Sequence, residues 1–129
     1  MDEITFTPIG YIKSPYTSIE DMPKNTSQSG DTQAQIIVDE KYIECMSDMM
    51  VNDEYMLIFY FHKSIGYEDK VPLRGVGPVM GVFSTHAPNR PNPIGVSTIK
   101  IREIDSNVIT FTGVDMLDAT PVLDLKKIY

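Results

Sequence analysis

The residues best equipped for chemistry fall in two short runs. THAPNRPNPIG, Thr85–Gly95, carries His86, Arg90 and Asn92 on a frame of three prolines and contains no acid. Proline fixes φ and lacks an amide donor, so Pro88, Pro91 and Pro93 forbid a helix or an interior strand and leave a stiff loop. Such a loop loses little entropy on folding and can hold polar groups where they need no reorganisation. DMLDATP, Asp115–Pro121, places two carboxylates three residues apart. Either they cap backbone donors in an Asx-type turn, or one stands at a loop mouth to accept from a ribose hydroxyl or an amine. His62 ends the apolar run YMLIFYFH, which puts it at the rim of the core. It is a hydrogen-bonded structural group or a ligand. With His86 it finds no carboxylate at metal-ligand spacing, so no metal site is expected.

The charge distribution adds a third candidate. The net charge is −7, with thirteen acids against five bases up to Lys70 and five against six from Val71 onward. Between Val71 and Arg102 there is no acid, while Arg74, Arg90, Lys100 and Arg102 are all present. Local fields of this kind steer anionic partners even when the total charge is negative.

These groups need elements to position them. A chain of 129 residues, 42% of them hydrophobic, makes one domain over 1–129 with a real core. A first strand is expected over 4–12, then a polar loop over 14–33 and a short strand over 34–39. A helix is expected over 41–50, with Tyr42, Met46, Met49 and Met50 on one face. YMLIFYF, 55–61, reads as a strand buried on both faces. Beyond it the pattern is β: strands over 79–84, 97–104, 108–114 and 122–125. Ile99 and Ile101 face one way, Lys100 and Arg102 the other, and Asp105-Ser-Asn turns the chain. The sum is a mainly β protein, a small antiparallel barrel or curved sheet with one helix. No run is apolar for the ~18 residues of a membrane span, and the opening residues are not a signal peptide. The single Cys45 excludes a disulfide framework and suits a reducing, cytoplasmic setting.

Two tempting motifs fail. GVGPVMG, Gly75–Gly81, has Pro78 where a phosphate donor is wanted and a β-like segment where a nucleotide fold needs a helix, so it reads as a turn. NPIG, Asn92–Gly95, shares Asn-Pro with the Asn-Pro-Pro-aromatic signature of many adenine N6-methyltransferases but lacks the aromatic that stacks the base.

Four stretches together resemble one family, the TrmO/TsaA-like S-adenosylmethionine-dependent tRNA methyltransferases. FSTHAPNRPNPIGVS, Phe83–Ser97, is similar to Phe-Ala-Thr-Arg-Ser-Pro-x-Arg-Pro-Asn-Pro-Ile-Gly-Leu-Ser, and LDATPVLDLK, Leu117–Lys126, to Leu-Asp-Gly-Thr-Pro-Val-Leu-Asp-Ile-Lys. PIGYIKSPY and FYFHKS match the opening strand and the Phe-His segment, so the likeness covers about residues 4–126. The resemblance implies a β-barrel rather than a Rossmann fold, a homodimer, and S-adenosylmethionine bound near the dimer interface. It implies N6-methylation of threonylcarbamoyladenosine at tRNA position 37. Cofactor contacts are implied at Pro23, Lys24, Asn25, His62, Lys63, His86, Val96, Asp118, Ala119, Thr120 and Pro121, with Arg90 and Asn92 held by the proline frame. Asp118 and His86 are the candidate proton acceptors, and Arg74, Lys100 and Arg102 the candidate tRNA contacts. His86 stands where the family has arginine, Asn25 where it has glutamine, and Ala119 where it has glycine; Ala119 therefore needs φ < 0 or strain. Two other functions stay open: methylation of a small molecule or another modified nucleotide, and a cofactor-binding module without catalysis.

Overall fold

The computed structural model describes residues 2–22 and 30–129. Its strands are β1 (Gly10–Lys13), β2 (Gln33–Val38), β3 (Glu54–Tyr60), β4 (Lys70–Pro72), β5 (Val79–Gly81), β6 (Ile94–Asp105), β7 (Val108–Thr112) and β8 (Pro121–Lys127). Six of them close an antiparallel barrel in the order β1-β2-β7-β6-β3-β8, and β4 with β5 forms a separate hairpin. Period-two alternation builds the interior: Ile12, Ala34, Ile36, Leu57, Phe59, Ile99, Ile101, Ile109, Phe111 and Val122 point inward and are buried.

The apolar run of β3 departs from expectation. Tyr55, Leu57 and Phe59 are inside, but Met56 and Tyr60 are exposed. A closed barrel has one interior, so only every second residue of a strand can enter it. The outer apolar residues pair instead with β6, Ile58 opposite Val96 and Tyr60 opposite Ile94. The expected strand over 4–12 begins only at Gly10, where β1 gains partners in both β2 and β8. Ile4 and Phe6 are exposed.

The helical segment lies where the periodicity puts it but is shorter, a 3-10 turn over Glu40–Met46 capped by Asp39, whose Oδ1 accepts from the Lys41 amide at 3.1 Å. Tyr42, Met46 and Met49 pack on the core, with Ile9, Val38 and Leu125 around an apolar cavity of about 210 Å³ at that end of the barrel. The opposite end, where β1 and β3 finish and β6 and β8 begin, carries the polar groups. Between β3 and β6 the chain leaves the barrel. In GVGPVMG the first four residues lie here in a turn, with Arg74 before them at φ 53° and Gly75 at φ 81°, and Val79–Gly81 are β5 itself.

Candidate functional site

The turn from β7 into β8 starts with Gly113 at φ 92°, packed so closely on β6 that a Cβ there would lie 2.7 Å from the Thr98 carbonyl oxygen. Asp118 to Thr120 is then sewn to β1. The Asp118 amide donates to the Tyr16 carbonyl (2.8 Å), the Ala119 amide to the Ile12 carbonyl (2.8 Å), and the Ile12 amide to the Thr120 carbonyl (2.9 Å). The Ser14 amide donates to Asp118 Oδ1 at 3.0 Å, a long-range tie to the segment after β1 instead of the local cap of an Asx-type turn. Thr120 is buried, its hydroxyl donating to the Leu117 carbonyl, and Pro121 opens β8 opposite Tyr11.

Ala119 has φ 66°, so it is strained as its type requires. An L-residue there costs about 1–2 kcal/mol; glycine escapes that cost but loses about 0.4–1 kcal/mol through its freer unfolded chain. Ala119 is exposed and its methyl adds little packing. Ala119→Gly is therefore expected to stabilise the fold by about 0.5–1 kcal/mol in urea unfolding; an unchanged or lower midpoint would contradict the left-handed conformation.

His62 follows β3 at the same end, half-buried, with Nε2 buried and without a hydrogen-bond partner among the described residues. Burial and then the neighbouring Lys63 hold its pKa below 6.5, while the Asp118 main chain and carboxylate pull the other way. The folded protein thus binds this proton less tightly than the unfolded chain. The stability His62 contributes is fully present above pH 6.5 and is lost as pH falls through its lowered pKa. Between about pH 7.5 and pH 5.5 the wild type should lose more melting temperature than His62→Gln. Equal losses would show that the imidazole stays solvated.

The proline loop is pinned from within. Arg90 Nη1 donates to the Thr85 carbonyl (2.9 Å) and the Ala87 carbonyl (3.1 Å), and the Thr85 hydroxyl donates to the Val82 carbonyl (2.8 Å). Ser64 Oγ reaches the Pro88 carbonyl (2.9 Å) and Asn89 Oδ1 (2.7 Å), and the Phe61 amide donates to the Pro93 carbonyl (2.8 Å). Gly95 completes the motif for a steric reason. A Cβ there would meet Phe59 Cε2 at 2.6 Å and Phe61 Cζ at 2.7 Å, the two rings packed edge to face beneath the loop. Arg90 therefore holds the loop together, while His86 and Asn92 are exposed on it.

Sequence reasoning missed one arrangement. Ser97 faces inward near the start of β6, 5% exposed, and its hydroxyl donates to Asp115 Oδ1 at 2.6 Å. Burial pushes the Asp115 carboxyl above its ordinary value; the Ser97 hydrogen bond, its own main chain and the field of His86 act against this. A serine at an inward position of an alternating strand, among Ile99 and Ile101, was the available signal.

Thus His62, Asp118, Thr120 and Pro121 gather at one barrel end, and His86 acts on Asp115. Lys63 is exposed beside His62, and Val96 lies on the outer face of β6. Of the basic residues, Lys100 and Arg102 both meet Thr112 of β7, while Arg74 lies on a separate hairpin. Arg74 is on the β4–β5 turn, and Lys100 sits between Glu54 of β3 and Thr112 of β7, about 20 Å along β6 from Ile94 at ~3.3 Å per residue. Arg102 occupies a bulge, its Nε donating to Thr112 Oγ1 at 3.1 Å. Pro23, Lys24 and Asn25 lie outside the described residues. Among the described residues no three His, Cys, Asp or Glu side chains are gathered as for a metal, and no helix is long and apolar enough to cross a membrane.

The fold of this chain is shared with solved TrmO structures. That of TrmO from Pseudomonas aeruginosa superposes with a TM-score of 0.82 at 25% identity, over 99% of this chain and 57% of that one. The family model for the tRNA-methyltransferase O N-terminal domain matches residues 11–129, and the chain belongs to that family. A Pyrococcus abyssi protein described as a probable S-adenosyl-L-methionine-binding protein is 36% identical, over 95% of this chain and 67% of its own length. The Mus musculus tRNA (adenine(37)-N6)-methyltransferase is 33% identical over 92% of this chain, which spans 29% of that relative.

Proposed function

We propose that this domain transfers the methyl group of S-adenosylmethionine to N6 of threonylcarbamoyladenosine at position 37 of tRNA. The observation that carries the reading is the unpartnered, buried His62 Nε2 beside the Asp118–Pro121 turn. A desolvated polar atom needs a partner, and a ligand with nucleoside and amino-acid groups offers one. His62, Lys63, Asp118, Ala119, Thr120 and Pro121 would hold the cofactor, with His86, Asn92 and Val96 and with Pro23, Lys24 and Asn25. Arg90 serves the site through the loop it pins. The cofactor supplies an electrophilic methyl carbon; the protein orients the acceptor nitrogen in line with it and excludes water. Asp118 and His86 are the residues that the family resemblance offers as acceptors of its proton.

The chain works as a homodimer in this reading. Val96 lies outside the barrel, away from the cradle of its own chain, and with Ile94, Met56, Ile58 and Tyr60 it makes an apolar face suited to a second copy. The tRNA is met by Arg74, Lys100 and Arg102, in the cytoplasm. One fact favours a small acceptor instead: the net charge of −7, since tRNA binding normally uses basic surface. Calorimetry of EDTA-treated protein with S-adenosylmethionine tests the cradle. Binding without metal is expected, and absence of both heat and thermal stabilisation would remove the reading.

A further inference from the structure

We propose that Asp115, held in place by Ser97, is the base that removes the proton from the methyl-accepting nitrogen. The inference rests on the methyltransferase reading above and replaces Asp118 and His86 in that one role. Asp118 is occupied: its Oδ1 accepts from the Ser14 amide, and its main chain is stitched to β1. Asp115 is different. Its Oδ1 receives the Ser97 hydroxyl, a rotatable donor, and the field of His86 on the exposed proline loop also reaches it. Ser97 reaches it from β6 and His86 from the loop, so the carboxyl sits between the barrel wall and the segment expected to face the acceptor.

The fold does not need a charge there. Asparagine could accept from Ser97 equally well, whereas a partly buried carboxylate without a direct ion pair works against stability. A group kept charged at such a cost is a functional candidate, and burial tunes it toward the range where a base works near neutrality. The step balances. The acceptor nitrogen's electron pair forms the new N–C bond, the sulfur–carbon bond breaks to leave a neutral thioether, and the N–H proton passes to Asp115, which returns it to water.

The sign of the linkage gives a second readout, independent of turnover. Because its folded pKa is raised above 3.8, Asp115 favours the fold most below that value and progressively less as pH rises through the raised value. Asp115→Asn should therefore melt higher than wild type at pH 7 and lose the corresponding pH slope. It should bind S-adenosylmethionine unchanged and methylate tRNA at least ~100-fold more slowly. Ser97→Ala removes a hydrogen bond that favours the carboxylate, so the acidic limb of its kcat profile should move to higher pH. Wild-type turnover in Asp115→Asn, an unmoved limb in Ser97→Ala, or joint loss of stability and cofactor binding in Asp115→Asn overturns the proposal alone. A wild-type protein that binds cofactor and never methylates tRNA removes the functional reading and this proposal with it.

Discussion

Replacing Arg90 with alanine is expected to destabilise the protein by about 2 kcal/mol and to slow tRNA methylation about 100-fold. The guanidinium donates to two carbonyls of its own loop, Thr85 and Ala87, and a charge-assisted hydrogen bond is worth about 1.5–3 kcal/mol when buried. Arg90 is only half-buried, so solvent screening brings the estimate below what two fully buried bonds would give. Losing them frees the stretch that carries His86, and a displacement of about 1 Å in a positioning element can cost 100-fold in rate. Lysine lacks the planar fork, so Arg90→Lys should recover stability only in part. Urea unfolding and initial rates at saturating cofactor measure both effects. An Arg90→Ala protein with native stability and rate would show that the prolines hold the loop unaided.

The second large effect concerns the acid-free segment. Lys100→Glu with Arg102→Glu should lower kcat/KM for tRNA about 100-fold at ~0.1 M salt while the Kd for S-adenosylmethionine stays the same. The cofactor offers one carboxylate, whereas tRNA offers a row of phosphates, so the second partner senses two reversed charges far more than the first. Lys100→Glu also sets two acids opposite each other across β3 and β6, since Glu54 is its partner. The neutral pair Lys100→Gln and Arg102→Gln separates that strand effect from tRNA binding. Wild-type activity should fall steeply with added salt. Normal methylation by the charge-reversed protein would assign the tRNA contact to another surface.

Much of this was legible in the sequence because barrels write themselves in alternation. Ile99 and Ile101 against Lys100 and Arg102, followed by Asp105-Ser-Asn, specified β6, its turn and β7. Even so, the bulge at Arg102 was invisible, because it depends on register with β7. YMLIFYF misled for a physical reason: continuous apolarity looks the same whether a second layer or a partner surface covers the outer face. The motifs converge on one end of the barrel, His62 with Asp118–Pro121, while their chemistry depends on contacts between distant segments. The sequence placed Arg90 on the stiff loop, but its donation to the Thr85 and Ala87 carbonyls depends on how that loop turns and could not be read from spacing. Asp115 and Ser97 are 18 residues apart and meet only when β7 returns alongside β6, so no local pattern could pair them. For Ala119 the sequence left φ < 0 or strain open, and only the fold of the turn, at φ 66°, decides for strain.

The central claim is methyl transfer to tRNA, and its most direct measurement is mass spectrometry of tRNA nucleosides after incubation with purified protein and isotope-labelled S-adenosylmethionine. The tRNA should come from cells lacking the gene, so that its position 37 carries the unmethylated threonylcarbamoyladenosine. The predicted result is a single labelled methyl group on that nucleoside, with equimolar demethylated cofactor. Unlabelled tRNA beside protein that binds the cofactor would contradict the account.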